Sequence, residues 1–144
     1  MSGVAICYHL ISTNSAVLAL VDSIDSIAAG DLKTKTKLPG IGIKKISRVT
    51  HNFVDNNTHR RLRTERVQVS PLVKDPLATP AGEGYLGVDN LLAAIFLALP
   101  QTRGLVNGIY CDSILPDIEG PDLYDEVEGI HSGSQDFIVK WIAD

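Results

Sequence analysis

With 144 residues, 44% of them hydrophobic and 21% charged, the chain is too apolar to stay disordered and long enough to bury one core. Its longest strongly apolar stretch, Leu91 to Leu99, is far short of the ~20 residues of a spanning helix, and its N-terminus lacks the basic start and apolar centre of a signal peptide, so one soluble, intracellular domain over 1–144 is expected, with no membrane contact. Charge is unevenly spread: up to Arg66 ten Lys and Arg face five acids (+5), and beyond it three face twelve (−9). Such a chain either steers the basic face of one copy onto the acidic face of the next or, if the halves interleave, averages its charge over the surface.

In chain order, Val4, Ile6, Cys7, Leu10 and Ile11 fall near helical spacing, and after Asn14, a good N-cap, Val17, Leu18 and Val21 continue it, predicting a broken amphipathic helix. Ser23 to Lys37, with Gly30 and with Lys33, Lys35 and Lys37 alternating with Thr, suits an exposed strand or loop. From Ile41 to Phe53 the odd positions are mostly apolar and the even ones polar, with Lys45, Ile46 and Ser47 breaking the alternation, which predicts a half-buried strand with a bulge. The turn-forming run Asp55 to Thr58 follows, and Arg61 to Leu72 resumes with Val67 and Val69 on one face, giving a long β-hairpin whose basic tip should project.

A Pro/Gly loop, Asp75 to Gly84, leads into Leu86, Val88, Leu91, Leu92, Ile95, Phe96 and Leu99, the apolar stripe of one helix ended by Pro100. A strand is expected from Gly108 to about Leu115, then an acidic connection with Asp117, Glu119, Asp122, Asp125, Glu126 and Glu128, then a last strand from Phe137 to Ile142 with Phe137, Val139 and Trp141 on its buried face. The order describes an α+β fold, an antiparallel sheet with a long hairpin packed against an N-terminal helix and one central amphipathic helix.

The residues offer little for catalysis. His9, His51, His59 and His131 share no metal-ligand spacing, and no metal or other cofactor is predicted. Cys7 and Cys111 have no Cys-x-x-Cys spacing and are expected as free, partly buried thiols. Gly82, Gly84 and Gly87 match a dinucleotide-loop spacing, but a proline-containing loop stands where that motif needs a strand. Acids between Asp117 and Glu128 could pair as general acid and base, with His131 beside them, yet a charge run on a connection is usually a solvated face. What remains is the basic tip, His59, Arg60, Arg61, Arg63 and Arg66, backed by Lys44, Lys45 and Arg48; it can follow a phosphate backbone or meet the acidic segment of a neighbouring copy, and Phe53 is the only aromatic near it that could stack on a base.

Three features together resemble the tail-completion family of tailed bacteriophages: the segment Arg63-Thr-Glu-Arg-Val-Gln-Val-Ser70, the amphipathic helix after a Pro/Gly loop, and the closing stretch from Asp122 to Val139, an acidic connection entering the final strand. The resemblance spans almost the whole chain. It implies a structural, non-enzymatic subunit of the virion that assembles in the host cytoplasm, forms a ring, commonly a hexamer, caps the tail tube and presents a surface to the head-side connector protein. The long basic tip and the extra Pro/Gly loop depart from the family's simplest members. The ring reading allows nonspecific contact with DNA passing the lumen, and two other readings stand beside it: a nucleic-acid-binding module using residues 59–66, and a small hydrolase using Asp117 to Glu128 with His131.

Overall fold

The computed structural model describes residues 2–33, 35–51, 61–75, 83–99 and 103–143. Helix α1 (Gly3–Ser12) opens on Ser2, whose hydroxyl accepts the Ala5 N–H, and stops at Thr13, whose hydroxyl donates to the His9 carbonyl. Asn14 then caps the short α2 (Ser15–Leu18) by accepting the Val17 N–H at 3.1 Å, so the broken helix is broken where a side chain competes for backbone hydrogen bonds. A 3-10 turn (Ile24–Ser26) and a three-residue strand β1 (Ile27–Ala29) follow. Ser26 donates to the Lys37 carbonyl across the exposed lysine loop.

Strands β2 (Gly40–His51) and β3 (Arg61–Lys74) form the long hairpin, and their register slips between Lys45 and Ser47, the site where the alternation breaks in the sequence. Arg61 to Lys74 alternates cleanly: Glu65, Val67, Val69, Pro71 and Val73 are buried while Thr64, Arg66, Gln68 and Ser70 are half-buried. Helix α3 (Glu83–Ala98) lies over β3. Beyond it come β4 (Gly104–Val106), β5 (Ile109–Glu119), β6 (Leu123–Asp125), β7 (Ile130–Ser132) and β8 (Gln135–Ala143).

The strands order as β1-β2-β3-β8-β5-β4, with the β6-β7 hairpin attached to the end of β3 through β7. Every pair is antiparallel except β1 with β2, which is parallel. The sheet is therefore α+β and mostly antiparallel, with β3 paired along both sides. Helices α1 and α3 cover one face of it, and the core lies between, with Trp141, Phe137, Ile6, Ile11, Ile41 and Ile43 among its largest fully buried apolar side chains. Among the described residues no helix is long and apolar enough to cross a membrane.

Two expectations need correction. Phe96 is 45% exposed and Leu86 60% exposed, so the buried stripe of α3 is Val88, Leu91, Leu92, Ile95 and Leu99; Phe96 sits at its margin, meeting Phe137 edge-on with centroids 5.7 Å apart. The strand expected from Gly108 to about Leu115 is β5, and the short β4 precedes it across Asn107-Gly108, both at positive φ, the two-residue turn whose twist matches a hairpin. The expected acidic connection is not a loop: Asp117 and Glu119 end β5, and Asp125 closes β6 and accepts the Val127 and Glu128 N–H groups in the turn to β7.

Candidate assembly surfaces

The side chain of a strand residue alternates between faces, and that alternation disperses the basic residues the sequence groups into one tip. His59 and Arg60 lie outside the described residues, and Arg61 is placed only by its backbone, which pairs with Ala143. Arg48 lies opposite Glu65 and Arg63 opposite Trp141, both on the helix-covered face. Arg66 is on the uncovered face. Lys44 stands on the margin of β2, its Nζ 3.1 Å from Asp31. The described members thus form no single basic patch.

The Arg48 site was not anticipated. Glu65 is fully buried, yet its Oε2 receives Arg48 Nε and Nη2 at 3.0 Å each and the Gly3 N–H at 3.1 Å. Gly3 begins α1, so a positive helix end and a guanidinium together compensate one buried carboxylate. Arg48 also covers the Trp141 ring at 5.6 Å from its centroid. Glu65 Oε1, Arg63 Nε and Trp141 Nε1 are buried beside this pair and make no hydrogen bond. A signal for it did exist: the period-two pattern of Val67 and Val69, extended one step back, assigns Glu65 to the buried face.

On the other face Arg66 Nη2 is 2.8 Å from Asp117 and Nη1 3.7 Å from Asp136, with each partner partly exposed. One predicted basic residue and one predicted acidic residue therefore meet within the chain. Glu119 forms no salt bridge among the described residues, and Glu126 and Glu128 are exposed in the β6-β7 turn. Asp122 accepts the Tyr85 hydroxyl at 2.9 Å, and that hydrogen bond, with the same carboxylate's charge, pushes the phenol above its ordinary value.

His131 joins none of the acids from Asp117 to Glu128 in an ion pair. Its Nε2 is 3.0 Å from Asp75 Oδ2, while Asp75 Oδ1 accepts the Gly84 N–H at 3.0 Å and Tyr124 stacks on the imidazole. A Cβ at Gly84 would collide with both Asp75 and His131, so only glycine lets the first turn of α3 approach this pair. The cluster ties α3, the end of β3 and the β6-β7 hairpin together, and among the described residues no hydroxyl or thiol nucleophile is bonded to the histidine. Cys7 and Cys111 are free and buried; burial chiefly pushes both thiols up, away from the thiolate that reacts.

Neither a known family model nor a curated protein matches the sequence. Solved structures do match, among them a chain of the virion of the native gene transfer agent (GTA) particle, at a TM-score of 0.67 and 11% identity, covering 99% of this chain and 96% of that one. At that identity the likeness is one of fold, and it runs from end to end.

Proposed function

We propose that this chain is a structural subunit of a phage-like virion, without enzymatic activity, that forms a closed ring at the head-proximal end of the tail. In this role it terminates the tail tube and offers its other surface to the head-side connector. The observation that supports the reading most is the end-to-end likeness to a chain of a gene transfer agent virion: both chains are covered almost completely, so the shared unit is the whole chain and not a common supersecondary fragment. The order of the helix, the Pro/Gly loop and the closing acidic stretch in the sequence supports the tail-end position specifically.

The alternative of a nucleic-acid module loses two of its cations, since Arg48 is committed to Glu65 and Arg66 to Asp117 and Asp136. Light scattering of the purified protein across concentration and salt, alone and mixed with tail tubes, tests the proposal. A closed oligomer or binding confined to tube ends is expected. A persistent monomer that ignores tubes and binds DNA with a steep salt dependence would replace the ring by the nucleic-acid module.

A further inference from the structure

Among the described residues the two longest outer strands of the sheet, β2 and β5, are covered over only part of their length. On one side β1 pairs with β2 only at Ile41 to Ile43, and an isolated bridge from Gly30 also ends on Ile43. Lys44 to His51 therefore has no outer strand among the described residues. On the other side β4 pairs with β5 only at Ile109 to Cys111, which leaves Asp112 to Glu119 without an outer strand among the described residues, in a row interrupted by Pro116, which lacks an N–H, and by register shifts after Cys111 and after Pro116. Exposed N–H and C=O rows of this kind bind another strand when nothing blocks them.

These edges complement each other. Lys44 to His51 carries Lys44, Lys45 and Arg48 and no acid; Asp112 to Glu119 carries Asp112, Asp117 and Glu119 and no base. Each also presents aliphatic side chains that are about half exposed, Ile46 and Val49 on β2, Leu115 and Ile118 on β5. Like edges repel, and unlike edges attract.

Their heights in the sheet match as well. Ser47 pairs with Arg66, Arg66 with Ile138 and Ile138 with Leu115; Val49 pairs with Thr64, Thr64 with Lys140 and Lys140 with Ser113. The open part of β2 and the open part of β5 thus lie at the same level across four strands, and those strands alternate in direction. Rotation about an axis along the strands, with no rise, brings one edge to the other antiparallel, which is what a closed ring requires and a helical filament does not.

We infer that the ring seam joins the open edge of β2 (Lys44 to His51) in one copy to the open edge of β5 (Asp112 to Glu119) in the next, continuing the sheet around the ring. The seam rests on the ring reading above. Four of the six edge charges already have partners within the chain: Lys44 with Asp31, Arg48 with Glu65, Asp112 with Arg103, and Asp117 with Arg66. Lys45 and Glu119 have no salt bridge among the described residues, so they are the clean probes.

The experiment compares the wild type with K45E and with E119K, measuring mass by light scattering in the presence of tail tubes and folding by circular dichroism. Each reversal is expected to stay folded and weaken assembly about tenfold or more. Single variants that form rings like the wild type overturn the seam and leave the ring reading intact. Loss of tube-end binding with rings preserved assigns these edges to the tube protein and overturns the seam too. A wild type that never closes a ring, alone or on tubes, removes the ring reading and the seam together.

Discussion

The two faces of β3 each hold an arginine facing carboxylate, and the two arrangements differ in what water can reach. On the covered face Arg48 meets a Glu65 that is fully buried under the start of α1; on the uncovered face Arg66 meets Asp117 and Asp136, all three partly solvated. The contact distances are similar, so the difference lies in desolvation. A buried carboxylate that loses its cation has no water to fall back on, whereas a solvated one does. The covered face therefore depends on its ion pair for stability, and the uncovered face is free to use its charges elsewhere.

The largest expected effect is that of Arg48→Ala, which leaves Glu65 buried with only the Gly3 N–H. A loss of about 3 kcal/mol in urea unfolding is expected, at the low end of the range for broken buried pairs because Arg48 itself reaches solvent. If Arg48→Ala and Arg66→Ala cost the same, burial does not separate the two faces. Of similar size, Leu92→Ala should cost about 2–5 kcal/mol because its side chain is enclosed, and Phe96→Ala about 1 kcal/mol because the ring keeps only its margin contact with Phe137. Equal losses at these two positions would mean that the outer side of α3 is covered in solution.

A smaller effect is one of pH. Cys7 is an acid held neutral by burial, its value raised from the ordinary 9.0. Below that value both folded and unfolded chains keep the proton and stability is full. Above it the unfolded thiol ionises and the folded one does not, so stability falls as pH rises, by up to about 1.4 kcal/mol per pH unit. Unfolding midpoints from pH 8 upward, compared with those of Cys7→Ala, isolate this slope; identical slopes would mean that the covered face admits water at Cys7. Smallest of all, Arg66→Ala should change stability by about 0–1 kcal/mol, measured in the same urea series.

Much of the sheet was legible because local pattern and global fold agree there. The hairpin, its bulge at Lys45 to Ser47 and the buried side of β8 all follow from period-two alternation, and Asn14 announces the break between α1 and α2. The errors have a common physical origin. A stripe read from spacing alone gave Phe96 and Leu86 the same burial as Leu91, but only the part of the apolar arc around Val88, Leu91 and Ile95 is enclosed. Likewise the charges were grouped by nearness in sequence, although neighbours along a strand face opposite ways. Only the strand order, which no residue spells out, places Lys44 to Arg48 and Asp112 to Glu119 on opposite margins.

The position of β8 sets an order in time. It is the last strand along the chain, yet it lies between β3 and β5 and bonds to both. During synthesis the hairpin and β5 must therefore emerge with their inner edges unpaired and wait for the segment from Gln135 to Ala143 to slide between them. Until then Val67, Glu65 and Ile114 lack the neighbours that bury them, and a nascent chain cannot present its outer margins at their proper spacing to another copy. The sheet is complete only once the segment from Gln135 to Ala143 is in place.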